Sequence, residues 1–223
     1  MASSSSRASS SASGASLEDA TESLADWFRT NGRVVGLVAL ALVLAVVGTW
    51  LWRWTAANKA GQAEQQFYQA QAPLAQGDLA GAERELRRVA TAFDGTAGGA
   101  QAQMLLAQVL YEQGKYQAGI DVLKNADDAP DALRRGARLL TAAGLEGLNK
   151  FAEAAKIYEE AAQGVTGTQR DDLRASAARA YQAAGNAASA RTIWAELAQQ
   201  EGSPLVDEAR VRLGELSAAP AGR

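Results

Sequence analysis

An unbroken apolar run, Val34 to Trp52, constrains this chain more than any other feature. It carries no charge, and Thr49 is its one hydroxyl. At 1.5 Å of rise per residue it makes about 28 Å of helix, close to the hydrocarbon thickness of a bilayer. Arg33 and Arg53 bound it, Trp27 and Phe28 precede it, and Trp50, Trp52 and Trp54 close it. That is the placement of aromatic side chains at two membrane–water boundaries. The run therefore predicts a transmembrane helix over 34–54. A secretory signal peptide has a shorter apolar core, about 7–15 residues, behind a short basic start. Here the core is longer and begins only at residue 34, so the run reads as an uncleaved anchor. Arg29 and Arg33 on one side nearly balance Arg53 and Lys59 on the other, which leaves orientation open. Gly36, Ala41, Ala45 and Gly48 offer small residues for close helix–helix approach.

Before the run, residues 1–15 are nearly all Ser and Ala, too poor in apolar surface to order themselves. Residues 16–30 read as an amphipathic pre-anchor helix. Ser16 is its N-cap, Leu17, Leu24, Trp27 and Phe28 share one face, and Glu18, Glu22 and Asp26 share the other. An acidic face binds anionic lipid poorly, so this helix is not a basic lipid sensor.

After the run the chain is rich in Ala, Gln, Leu and charged helix formers. Four phrases punctuate it: Gln76-Gly77-Asp78-Leu79, Gln113-Gly114-Lys115-Tyr116, Leu148-Asn149-Lys150-Phe151 and Ala184-Gly185-Asn186-Ala187. Their turn residues are 37, 35 and 36 positions apart, the period of a two-helix repeat. Each phrase resembles the inner turn of a tetratricopeptide repeat. A Gly or Asn ends helix A, where the backbone needs a left-handed conformation. Leu79, Tyr116, Phe151 and Ala187 follow two positions on. Ala82, Gly119, Ala154 and Ala190 stand five on, where helix B must approach helix A. Leu86, Leu123, Tyr158 and Trp194 lie one turn further. Ala70, Ala107, Ala142 and Ala178 supply the small residues of helix A, seven before each turn. The expected fold is all-α: one N-terminal transmembrane helix, then a solenoid of helical hairpins over 56–216 and a frayed tail over 217–223. Pro73 falls inside the first helix A, where it should remove a hydrogen bond and bend the helix. Ala187 replaces a large side chain and suggests looser packing in the last unit. Ser203 and Pro204 are expected to cap and open a final helix through Leu216, the polar-faced cap a solenoid needs.

Catalytic chemistry is hard to build from this chain. It has no His and no Cys, so the commonest general base, metal ligand and thiolate nucleophile are all missing. Asp127, Asp128 and Asp131, and Asp171 and Asp172, are the acidic groupings, and both read as solvated loops and helix starts rather than cation sites. No catalytic, cofactor-binding or metal-ligating residue is assigned, no cofactor is expected, and the chain does not read as an enzyme. Four of the 22 basic and four of the 25 acidic residues precede Trp54, so the remainder carries the whole net charge of −3. That balance disfavours nucleic acid. Arg84, Arg87 and Arg88, and Arg134, Arg135 and Arg138, read as solvated helix faces beside acids.

Over about Leu17 to Leu216 the chain resembles the bacterial YfgM-like family, the ancillary subunit of the Sec translocon. The resemblance lies in Leu17-Glu18-Asp19, Leu24-Ala25-Asp26-Trp27-Phe28 and Asn31-Gly32 before the span, in Trp50-Leu51-Trp52-Arg53-Trp54 at its exit, and in the repeats. It implies a type II inner-membrane protein with a cytoplasmic N-terminus and a periplasmic repeat domain. The implied partners are the bilayer, Sec channel subunits, and periplasmic chaperones or nascent secretory chains, with no small-molecule substrate. An envelope scaffold for another membrane or cell-wall assembly complex is the alternative.

Overall fold

The computed structural model describes residues 32–124, 126, 129–200 and 202–218, which form only helices and turns. The Ser-rich head, the pre-anchor helix over 16–30, and Asp127 and Asp128 lie outside the described residues. The chain divides into two compact units, 1–57 and 58–223.

Helix α1 spans Gly32–Ala70. Within the first unit its large apolar side chains are open to the surroundings: Leu37 is 66% exposed, Leu44 62% and Trp52 72%. Its most apolar window is long enough to cross a membrane, and no residue of that window is buried. The Thr49 hydroxyl donates to the Val46 carbonyl at 2.9 Å, and Thr55 donates to Leu51 and Trp52. Both hydroxyls are thus satisfied inside their own helix, as a helix in an apolar medium requires.

In the second unit, helices alternate as A and B. The last turns of α1 are helix A of the first pair, and α2 (Leu79–Ala92) is its helix B. The next pairs are α3 (Ala97–Glu112) with α4 (Tyr116–Leu123), α5 (Asp131–Gly147) with α6 (Phe151–Gln163), and α7 (Gly167–Ala183) with α8 (Ala187–Ala198). Helix α9 (Val206–Ala218) closes the array, so the helix runs two residues beyond the expected start of the frayed tail.

One backbone device recurs at all four inner turns. Gly77, Gly114, Asn149 and Gly185 have φ of 72°, 74°, 58° and 76°. The N–H of the next residue reaches back five positions, Asp78 to Pro73, Lys115 to Leu110, Lys150 to Leu145 and Asn186 to Tyr181, at 2.8–3.0 Å. This is the Schellman closure of a helix C-terminus. The residue that donates it then caps helix B: its carbonyl accepts from Ala82, Gly119, Ala154 or Ala190. Asp78 and Asn186 add a side-chain cap, accepting from Gly81 and Ser189. Both chain reversal and small-residue register therefore follow from one phrase.

Packing follows the same period. Leu86, Leu123 and Trp194 are buried, Tyr158 is half-buried, and the eight small positions at the A–B crossings are all buried. The core falls into successive clusters along the array, as expected of units that contact only their neighbours.

Four expectations are corrected. Pro73 does not bend a helix. Helix α1 ends at Ala70, and Pro73 sits at the start of a 3-10 turn, Ala72–Gln76, where its missing N–H costs nothing. Ser203 and Pro204 do not open the last helix, which begins at Val206. The Ser203 hydroxyl instead donates to Asp171 at 3.1 Å. Asp171 is not solvated but 6% exposed, and Gln200, with its amide nitrogen turned inward, reaches both carboxylate oxygens at 2.8 Å. The carboxylate ties the segment entering α9 to α7. Arg179 reinforces this with two hydrogen bonds to Glu208 at 3.0 Å, and Arg191 donates to the Leu216 carbonyl. The last unit is not loosened by Ala187, which is exposed. Trp194 fills that core and is fully buried.

Candidate interaction surface

The side of each A helix that stays at least partly open can be read from register. Thirteen residues before each turn stand Glu64, Gln101, Gly136 and Asp172. Nine before stand Tyr68, Leu105, Leu140 and Ser176, and six before stand Gln71, Gln108, Ala143 and Arg179. All are exposed or half-buried. Most are polar or small. Within the second unit, Tyr68 and Val211 are the strongly exposed large apolar side chains among the described residues. This face is suited to hydrogen bonds and charge pairing more than to an apolar helix.

Direct A-to-A packing holds the middle of the array. The Tyr111 ring of α3 lies between Gly119 of α4 and Gly144 of α5, and its hydroxyl donates to the Leu140 carbonyl at 3.0 Å. Tyr116 lies against Gly147, 5.8 Å from Tyr111 between ring centroids. Beyond that point the helices part. Helices α5 and α7 are bridged by α6. A cleft of about 360 Å³ opens there, lined by Glu146, Phe151, Tyr158, Ser176, Arg179 and neighbouring alanines. Glu146 is half-buried, and burial raises its carboxyl above the usual range. Burial, together with the Glu146 charge, pushes the Tyr158 phenol up to about 12.

A larger cleft, about 550 Å³, lies between α5 and α6 beside Asp131, Arg134, Arg135, Arg138 and Glu160. Arg134 pairs with Asp131. Arg87 and Arg88 pair with Glu83 and Glu85, so that group is the solvated, acid-compensated face its sequence implies. Among the described residues no group of three or more acidic side chains could hold a metal ion.

Three tyrosines give the array an alkaline limit. Burial pushes Tyr111 up to about 12, and a hydrogen bond to Glu159 at 2.5 Å does the same to Tyr181, alongside Tyr158. An unfolded tyrosine ionises near about pH 10. The folded state therefore keeps protons that the unfolded state releases. Their contribution is complete below about pH 10 and disappears as pH rises through about 12. Melting midpoints should fall across that window in step with phenolate absorbance. A flat midpoint would contradict the burial of these phenols.

The repeat phrases, the four identical turn closures and the A–B stacking all point one way. A family model for the tetratricopeptide repeat-like domain matches residues 25–207. The chain belongs to the tetratricopeptide repeat-like family. Tetratricopeptide-like arrays are non-catalytic scaffolds for protein–protein interaction, and this chain is one of them. A crystal structure from Podosopora anserina, described as a kinesin light chain with nearly identical TPR-like repeats, is similar at TM-score 0.56 and 16% identity. The match covers 70% of this chain and 86% of that one, a likeness of fold. No curated protein matches the chain.

The repeat phrases thus led to the right helices and crossings. The Tyr111 interface and the Glu146 cleft were not anticipated. Two glycines inside one helix, Gly144 and Gly147, were a usable signal, because each costs roughly 0.5–1 kcal/mol relative to Ala unless a neighbour needs the space.

Proposed function

We propose that this protein is a membrane-anchored adaptor of the bacterial inner membrane, with a cytoplasmic N-terminus and a periplasmic repeat array. In this reading it associates with Sec channel subunits and links them to periplasmic chaperones or emerging secretory chains. The observation that carries the anchor is the unburied apolar stretch of α1. About 28 Å of helix whose described Leu, Val and Trp side chains are exposed needs an apolar surrounding, and the internally bonded Thr49 and Thr55 suit it to lipid. The family supplies the interaction role. The acidic and tryptophan-rich phrases flanking the span support the link to the channel.

Protease added outside spheroplasts is expected to digest the repeats and spare the head, whereas protected repeats would overturn the orientation. Crosslinking in native membranes is expected to recover channel subunits. Their consistent absence, with a cell-wall or outer-membrane assembly complex enriched instead, would replace this reading with that of an envelope scaffold for that complex.

A further inference from the structure

Glu146 is placed unusually for an acid. It sits in the last turn of α5, where the helix dipole is already negative, and that turn has no basic residue to offset it. It is half-buried in the cleft between α5 and α7, and its carboxylate has no hydrogen bond or ion pair among the described residues. Phe151 and Tyr158 line the same cleft. Arg179 is the one cation in the lining, and its guanidinium is committed elsewhere. It makes two hydrogen bonds to Glu208 and lies 5.8 Å from the centroid of the Trp194 ring. A carboxylate partly withdrawn from water without a partner costs free energy that an incoming cation would recover. Aromatic faces beside it attract the same kind of group.

We propose that this cleft is a pocket for a basic side chain, Lys or Arg, of an extended polypeptide bound along the A helices. Glu146 is the counter-ion, and Phe151 and Tyr158 are walls for the aliphatic stem. The cleft's charge sets this occupant apart from an acidic or purely apolar segment: its one uncompensated charge is negative, and the adjacent helix end is negative too. The proposal rests on the adaptor reading and adds to it the chemistry of the bound chain.

The test is selection of random short peptides by the full-length protein in detergent, run in parallel on Glu146→Gln and Glu146→Lys. The parent should enrich peptides with a basic residue at a constant position. Glu146→Gln should weaken those peptides about tenfold, equivalent to about 1.4 kcal/mol, while melting no lower than the parent. Glu146→Lys should shift enrichment toward acidic residues at that position. Peptides that bind without a basic preference, or whose preference survives Glu146→Gln, would overturn the pocket and leave the adaptor reading standing. Failure to enrich any peptide would overturn both.

Discussion

Replacing Trp194 with Ala should cost about 3–5 kcal/mol, the range for deleting a large buried aromatic side chain. The indole is fully buried among Ala155, Ala177, Ala178, Tyr181, Ile193, Leu197, Ala209 and Leu216. Half of those neighbours are alanines, which have no rotamers with which to refill a vacated space, so the cavity should persist. The loss should also be local, because each unit contacts only its neighbours. Hydrogen exchange should accelerate in α7, α8 and α9 and change little in α2 and α3. Uniform acceleration, or a loss below about 1 kcal/mol, would show that Trp194 does not organise this end of the array. Trp194→Phe separates two contributions. The indole Nε1 has no hydrogen-bond partner, so Phe removes an unsatisfied donor, which costs about 1–3 kcal/mol to bury, while keeping an aromatic ring. Trp194→Phe should therefore be much milder than Trp194→Ala.

What could be read from the sequence, and what could not, divides along a physical line. Turn closure is local. A Gly or Asn at a fixed offset from a small residue specifies the left-handed turn and the A–B crossing, and all four units formed as their phrases implied. The apolar stretch of α1 is equally local. Pairing across units is not. Asp171 and Ser203 are 32 positions apart, and Arg179 and Glu208 29 apart, with no periodic pattern to bring them together. Asp171 looked like a solvated helix start because its partners lie in the segment leading to the cap. Pro73 was misjudged by a few residues of helix boundary, which determine whether a proline breaks a helix or begins a turn. The Glu146 cleft exists because α5 packs on α3 and α4 through paired glycines and does not pack on α7 in the same way. That asymmetry resides in Gly144 and Gly147 together with Tyr111 and Tyr116, four residues on three helices.

Gly119→Leu should cost about 1–3 kcal/mol through overpacking, and even Gly119→Ala should destabilise. A Cβ at Gly119 would lie 2.3 Å from Tyr111 Cε1, 2.8 Å from Cδ1 and 3.1 Å from the Ala107 carbonyl oxygen. Elsewhere in a helix, Gly→Ala gains roughly 0.5–1 kcal/mol from backbone entropy. Here the clash should outweigh that gain because the ring has nowhere to go. Its hydroxyl is bonded to Leu140, and on the far side a Cβ at Gly144 would already be 2.4 Å from the Tyr111 oxygen. Moving the ring therefore disturbs the contact between the second and third units as well as the α3–α4 crossing. A double-mutant cycle isolates the cause. In a Tyr111→Leu background the ring is gone, and Gly119→Ala should become neutral or stabilising, a coupling of at least 0.5 kcal/mol by the usual size of such contacts. Additive effects would mean that the glycine is there for backbone reasons. Its helical φ argues against that, since Gly119 is not among the residues with positive φ.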